Sequence, residues 1–208
     1  MKIKICGVRN IESAQTAIKA GADFIGFNFV PTSKRRIEPS AAAEILRHLQ
    51  LRSTRVVGIF QNQGLDEILA VLEVMPLDYV QLHGDESSTF CASVPVPVIK
   101  ALSVESAFDP ERVLAIMHAF PSVSFFLLDR SIQGKGERLN IGSVETLSRH
   151  VQLLIAGGIT LDNVHEYVHI PKLYGIDIAG GIETNGQPDS HKIDAMVNAV
   201  HVDSELKT

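Results

Sequence analysis

The 208-residue chain has no tryptophan and only two cysteines, Cys6 and Cys91. They form no CxxC pair, which excludes a zinc ribbon or disulfide framework and fits a reducing cytoplasm. Long basic runs are also missing: 19 Lys and Arg stand against 24 Asp and Glu, a net charge of -5. That weighs against nucleic acid as a partner. No apolar stretch reaches the roughly 20 residues needed to span a bilayer. The chain starts Met1-Lys2-Ile3-Lys4-Ile5, a strand-like run rather than a leader peptide, so no membrane partner is expected. No GxGxxG follows that run, which argues against a dinucleotide-binding open sheet. No low-complexity or Ser/Pro-rich linker interrupts residues 1–208, which therefore read as a single domain.

What is present is a repeated unit: a short apolar run, a polar or glycine-bearing loop, then a segment of helical period. The apolar runs fall at 3–6, 24–29, 56–60, 79–82, 96–102, 125–129, 153–156 and 173–178. Helical segments are expected at 11–20, 40–49, 65–72, 110–119, 144–150, 161–168 and 191–200, with a weaker one at 86–93. Asn10 and Asp109-Pro110 are helix starts, and Gly21 is a helix end. Strands alternating with helices imply a parallel sheet covered by helices. Eight strands favour closure into a compact eight-stranded parallel (β/α)8 TIM barrel, with loops leaner than the roughly 250-residue norm.

Side chains two apart on a strand share a face. If Ile3 and Ile5 face the helices, Lys4 and Cys6 face the barrel interior. The same parity turns Leu127 and Asp129 inward, and Asp177 as well. Gln81 and His83 share a face, and Lys100 is grouped with them because Ile99 is assigned to the helices. This collects Cys6, Gln81, His83, Lys100, Asp129 and Asp177 near the carboxyl ends of five strands, where a barrel carries its active site. A single buried polar residue is usually structural; six converging ones point to a site.

Two glycine pairs follow the last two strands, Gly157-Gly158 and Gly180-Gly181. Glycine loops there expose backbone N–H groups, and a helix beginning near 161 would add its dipole. Together they read as a phosphate site.

These residues resemble the phosphoribosylanthranilate isomerase family. The match is carried by Lys4-Ile5-Cys6-Gly7, Gly21-Ala22-Asp23, Gly26-Phe27, Pro31-Thr32-Ser33-Lys34-Arg35 and Val57-Gly58-Ile59-Phe60. It continues through Val80-Gln81-Leu82-His83-Gly84-Asp85-Glu86, Leu127-Leu128-Asp129, Ala156-Gly157-Gly158 and Gly175-Ile176-Asp177, in order along nearly the whole chain. The resemblance implies a cofactor-free, metal-free isomerase of tryptophan biosynthesis. It would convert N-(5-phosphoribosyl)anthranilate, a phosphorylated sugar–anthranilate, to 1-(2-carboxyphenylamino)-1-deoxyribulose 5-phosphate by an Amadori rearrangement, as a monomer or homodimer. Asp129 matches the family's general acid, which must carry a proton near pH 7, a state that burial would favour. Cys6 matches the general base, which must be partly thiolate; Lys4 and Lys100 are the inward cations that would help. Arg35 matches the loop arginine that meets the anthranilate carboxylate. Gly157, Gly158, Asp177, Gly180 and Gly181 match the phosphate end, while Gln81 and His83 support the site.

The loop 131–140 departs from the family's usual glycine-rich run. Ala179-Gly180-Gly181 replaces the usual Ser-Ser-Gly, so two hydroxyls are lost, and Pro188 stands where a lysine commonly precedes the aspartate. Two other readings fit the residues alone. One is a different phosphosugar isomerase, or a lyase using Lys100 in a Schiff base. The other is a non-catalytic barrel binding a phosphorylated ligand.

Overall fold

The computed structural model describes residues 1–130 and 139–205. Eight parallel strands close into one barrel in sequence order. They are β1 (Lys2–Cys6), β2 (Phe24–Asn28), β3 (Arg55–Phe60), β4 (Tyr79–Leu82), β5 (Val98–Val104), β6 (Phe125–Arg130), β7 (Leu153–Ile155) and β8 (Gly175–Ile178). The ring is sealed by β1 against β8, where Lys4 pairs with Asp177 in register.

The helices α1 (Ile11–Ala20), α2 (Pro39–Arg47), α3 (Leu65–Val74), α4 (Ser88–Ser93), α5 (Pro110–His118), α6 (Ile141–Ser148), α7 (Val164–Val168) and α8 (Ser190–Glu205) connect the strands and close the chain. Helix α1 starts where Asn10 Oδ1 accepts the Ser13 N–H at 2.8 Å, and stops at Gly21, whose φ of 96° suits glycine. Helix α5 starts at Asp109, which accepts the Glu111 N–H, followed by proline. Between β8 and α8 lie a 3-10 turn, Gly180–Ile182, and a small hairpin of β9 (Glu183–Thr184) and β10 (Gln187–Pro188). The periodic reading does not contain that hairpin, because two-residue strands are too short to show alternation. Among the described residues no helix is long and apolar enough to cross a membrane.

Two apolar layers result. The outer one packs Ile3, Ile5, Phe126, Leu128, Ile176 and Ile178 against the helices, as strand parity requires. The inner one fills the barrel with Phe24, Val57, Ile59, Ile99, Ala101, Phe125, Leu127, Leu154 and Ala156. At its floor the rings of Phe24, Tyr79, Phe125 and Tyr174 pack edge-on or tilted, with centroids 5.2 to 5.8 Å apart. The aromatic floor plugs one end, so polar groups collect at the other.

Candidate active site

The carboxyl ends of the strands surround a cavity of about 770 Å³. Its lining includes Cys6 from β1, Arg35 from the loop after β2, Gln81 and His83 from β4 and its loop, Asp129 from β6, and Asp177 from β8. Gly157 and Gly180 line it too, while Gly158 and Gly181 do not. Asn28, Gln61 and Glu183 also reach it. The sequence reading leaves these three out: Asn28 and Gln61 are uncharged polar residues with no motif, and Glu183 lies beyond the glycine pair.

Lys4 is fully buried, and its Nζ donates to Asp177 Oδ1 at 2.9 Å. A Cβ on Gly26 would sit 3.3 Å from Lys4 Cε and Nζ, so the bare glycine makes room for the amine. Burial works against the ammonium, but the Asp177 carboxylate and Cys6 together outweigh it, and the Lys4 pKa ends above its ordinary value. The Lys4 charge also acts on Cys6, two residues along the same strand face. The expected cation is therefore beside the thiol, yet Asp177 opposes its charge. Burial dominates and pushes the Cys6 thiol up to about 11, while Lys4 and Arg35 pull it down.

Across the mouth, His83 Nε2 lies 3.3 Å from Asp129 Oδ2. The other ring nitrogen, Nδ1, is 3.3 Å from Gln81 Nε2. The imidazole thus bridges the Gln81 amide and the Asp129 carboxylate. Gly157 has φ 91°, and a Cβ there would come 2.9 Å from Asp129 Oδ1. Only glycine permits both that backbone and the close approach to the carboxylate.

The two glycine pairs divide their labour. Gly157 and Gly180 face the cavity; a Cβ on Gly181 would strike the Ile159 carbonyl at 2.0 Å, so Gly181 lets the two loops touch. The expected helix start behind Gly158 is absent. Residues 161–163 form a turn instead, and α7 begins at Val164, so the loop's backbone rather than a nearby helix end faces the cavity.

Lys100 is not in the site. Strand β5 turns Ile99 and Ala101 into the barrel and Lys100 outward. Its Nζ donates to the carbonyls of Leu82, Gly84 and Ala101 at 3.3, 2.6 and 3.1 Å, and to Glu86 Oε2 at 3.1 Å. Glu86 also accepts the N–H groups of Asn62 and Gly84, at 2.8 Å and 3.0 Å, tying the loops after β3 and β4. Burial opposes its charge, but the Asn62 N–H and the Lys100 ammonium hold the Glu86 carboxyl below its usual range. Strand parity alone does not place Lys100, because both layers of a barrel are apolar and Ile99 fits either face. With Lys100 goes the Schiff-base reading. The departing loop 131–140 lies mostly outside the described residues, which resume at 139.

Arg35 is held by a second group the sequence does not advertise. Its Nε and Nη2 donate to the two carboxylate oxygens of Glu183 at 2.7 and 2.8 Å. The pairing raises the Arg35 pKa, although partial burial lowers it.

Known proteins place this geometry in a family. A family model described as N-(5'phosphoribosyl)anthranilate (PRA) isomerase matches residues 3–199. A Zygosaccharomyces bailii N-(5'-phosphoribosyl)anthranilate isomerase is 36% identical, over 93% of this chain and 94% of its own. The crystal structure of phosphoribosyl anthranilate isomerase from Thermus thermophilus superposes with a TM-score of 0.85 at 32% identity, covering 97% of this chain and 99% of that one. Another solved phosphoribosyl anthranilate isomerase, bound to reduced 1-(o-carboxyphenylamino)-1-deoxyribulose 5-phosphate, gives a TM-score of 0.83 at 30% identity, with the same coverage. The chain belongs to the N-(5'-phosphoribosyl)anthranilate isomerase family and is an isomerase.

Proposed function

We propose that this barrel converts N-(5-phosphoribosyl)anthranilate to 1-(2-carboxyphenylamino)-1-deoxyribulose 5-phosphate in tryptophan biosynthesis, with Asp129 as general acid and Cys6 as general base. The observation that supports it is a single cavity lined by Cys6, Asp129, Arg35, Gly157 and Gly180. Asp129 protonates the furanose ring oxygen, and the C–O bond opens to a protonated imine. Cys6 then removes the proton from the adjacent sugar carbon, giving an enolamine. Loss of the enol O–H proton and protonation of the carbon next to nitrogen yield the ketone.

Burial pushes the Cys6 thiol up to about 11, so it rests as the thiol and must pass that proton on within the site before it acts as base. Thiolate plus carboxylic acid holds the same number of protons as thiol plus carboxylate. Catalysis needs one proton redistributed between the two residues, not one lost to solvent. Arg35 takes the anthranilate carboxylate through guanidinium N–H donors. Backbone N–H groups of the loops holding Gly157, Gly158, Gly180 and Gly181 take the phosphate. Asp177 serves that end by anchoring Lys4.

The test is consumption of the fluorescent substrate by purified protein, together with rescue of a tryptophan auxotroph lacking the isomerase. Product formation and growth support the reading. A folded protein that does neither overturns it.

A further inference from the structure

The Arg35–Glu183 pair joins residues 148 apart in sequence and spans the mouth between the loops after β2 and β8. The route between them is shaped. The Arg35 side chain lies over Gly7, where a Cβ would meet its Cδ at 2.6 Å and where φ is 79°. Glu183 is fixed from behind: its carbonyl accepts Lys192 Nζ at 2.8 Å, and its backbone pairs with Pro188 in the β9–β10 hairpin. A second guanidinium stands near the carboxylate, with Arg9 Nη2 3.9 Å from Glu183 Oε1. Arg9 is itself tied to the Lys34 and Gly186 carbonyls.

The Arg9, Arg35 and Glu183 side chains together carry a net charge of +1. A guanidinium has five N–H donors. Glu183 takes one on Nε and one on Nη2, which leaves the fork formed by Nη1 and the second Nη2 hydrogen. That fork matches a second carboxylate.

We propose that Glu183 is a positioning residue for substrate selection. By taking the Nε–Nη2 fork it fixes the Arg35 guanidinium plane, so that the remaining fork meets the carboxylate of an aryl-amine substrate. This rests on the reading of Arg35 as the carboxylate's partner. An unanchored arginine would lose side-chain entropy on binding each substrate molecule; Glu183 makes that ordering part of the fold.

The experiment compares the anthranilate substrate with N-(5-phosphoribosyl)aniline, which lacks only the carboxylate, in wild-type, Glu183→Ala, Glu183→Gln and Arg35→Ala proteins. Glu183→Ala raises KM for the anthranilate substrate about ten- to hundredfold, the worth of one charged hydrogen bond, with a smaller change in kcat. It leaves kcat/KM for the aniline substrate within about twofold. Glu183→Gln, which keeps one acceptor oxygen and nearly the same shape, falls between and carries the test if the alanine variant does not fold. Arg35→Ala discriminates between the substrates in the same way. Equal losses on both substrates in the Glu183 variants would reduce the residue to a structural strut and overturn the proposal. A lowered KM would make Glu183 a competitor for Arg35, and also overturn it. If Arg35→Ala discriminates while the Glu183 variants do not, only this inference fails. If Arg35→Ala does not discriminate, the carboxylate reading of Arg35 fails and this inference with it.

Discussion

Lys4 and Asp177 form a buried ion pair across the β1–β8 seam, 2.9 Å from ammonium to carboxylate, with Cys6 within reach of the same ammonium. Removing one partner of such a pair leaves an uncompensated buried charge, at a cost of about 3–5 kcal/mol. Lys4→Met should therefore lower the unfolding midpoint in urea sharply. It should also slow alkylation of Cys6, because the nearest cation is gone.

The Cys6 thiol supplies a pH prediction of definite sign. Its pKa is raised from 9.0 to about 11 in the folded protein. Between those values the folded state holds a proton that the unfolded state has released. That stabilisation is complete below pH 9 and is lost as pH rises to about 11. Unfolding free energy should fall across this window in wild type and fall less in Cys6→Ser. Iodoacetamide reactivity, measured in a Cys91→Ser background, should reach half its maximum near pH 11. Half-maximal reactivity at or below pH 8 would show an ionised resting thiol.

Much of this site is legible in the sequence. Asp129 is marked by the apolar run 125–128 ahead of it, and Cys6 by its parity with Lys4 on the face opposite Ile3 and Ile5. Both come to the mouth because side-chain alternation is a geometric property of any strand. Lys100 shows where parity stops: β5 is apolar on both faces, so periodicity cannot say which face is inner. Glu183 shows a different boundary. Its meaning depends on a partner 148 residues away, and no local pattern records that distance.

The pair behind β5 should behave as a unit. Lys100→Met or Glu86→Leu alone strands a buried charge and should cost about 3–5 kcal/mol. Together they should cost less than the sum of the two singles, measured by denaturant unfolding of all three variants. Simple additivity would mean that the ion pair contributes nothing.

The glycines should differ in kind. Gly157→Ala forces a side chain onto φ 91° and against Asp129 Oδ1, so both activity and stability should fall, the latter by about 1–2 kcal/mol from backbone strain alone. Gly180→Ala has no positive φ to overcome, and its Cβ would approach Arg35 Nη2 no closer than 3.5 Å. It should fold as wild type. Thermal melts of the two variants side by side make the comparison.

The central claim is that Cys6 and Asp129 move the protons. The most direct measurement is single-turnover consumption of N-(5-phosphoribosyl)anthranilate by Cys6→Ala and Asp129→Asn, with circular dichroism to verify the fold. Each variant should remain folded and lose about a hundred- to ten-thousandfold in rate, the usual worth of a general acid or base. Wild-type turnover in either folded variant would contradict the account.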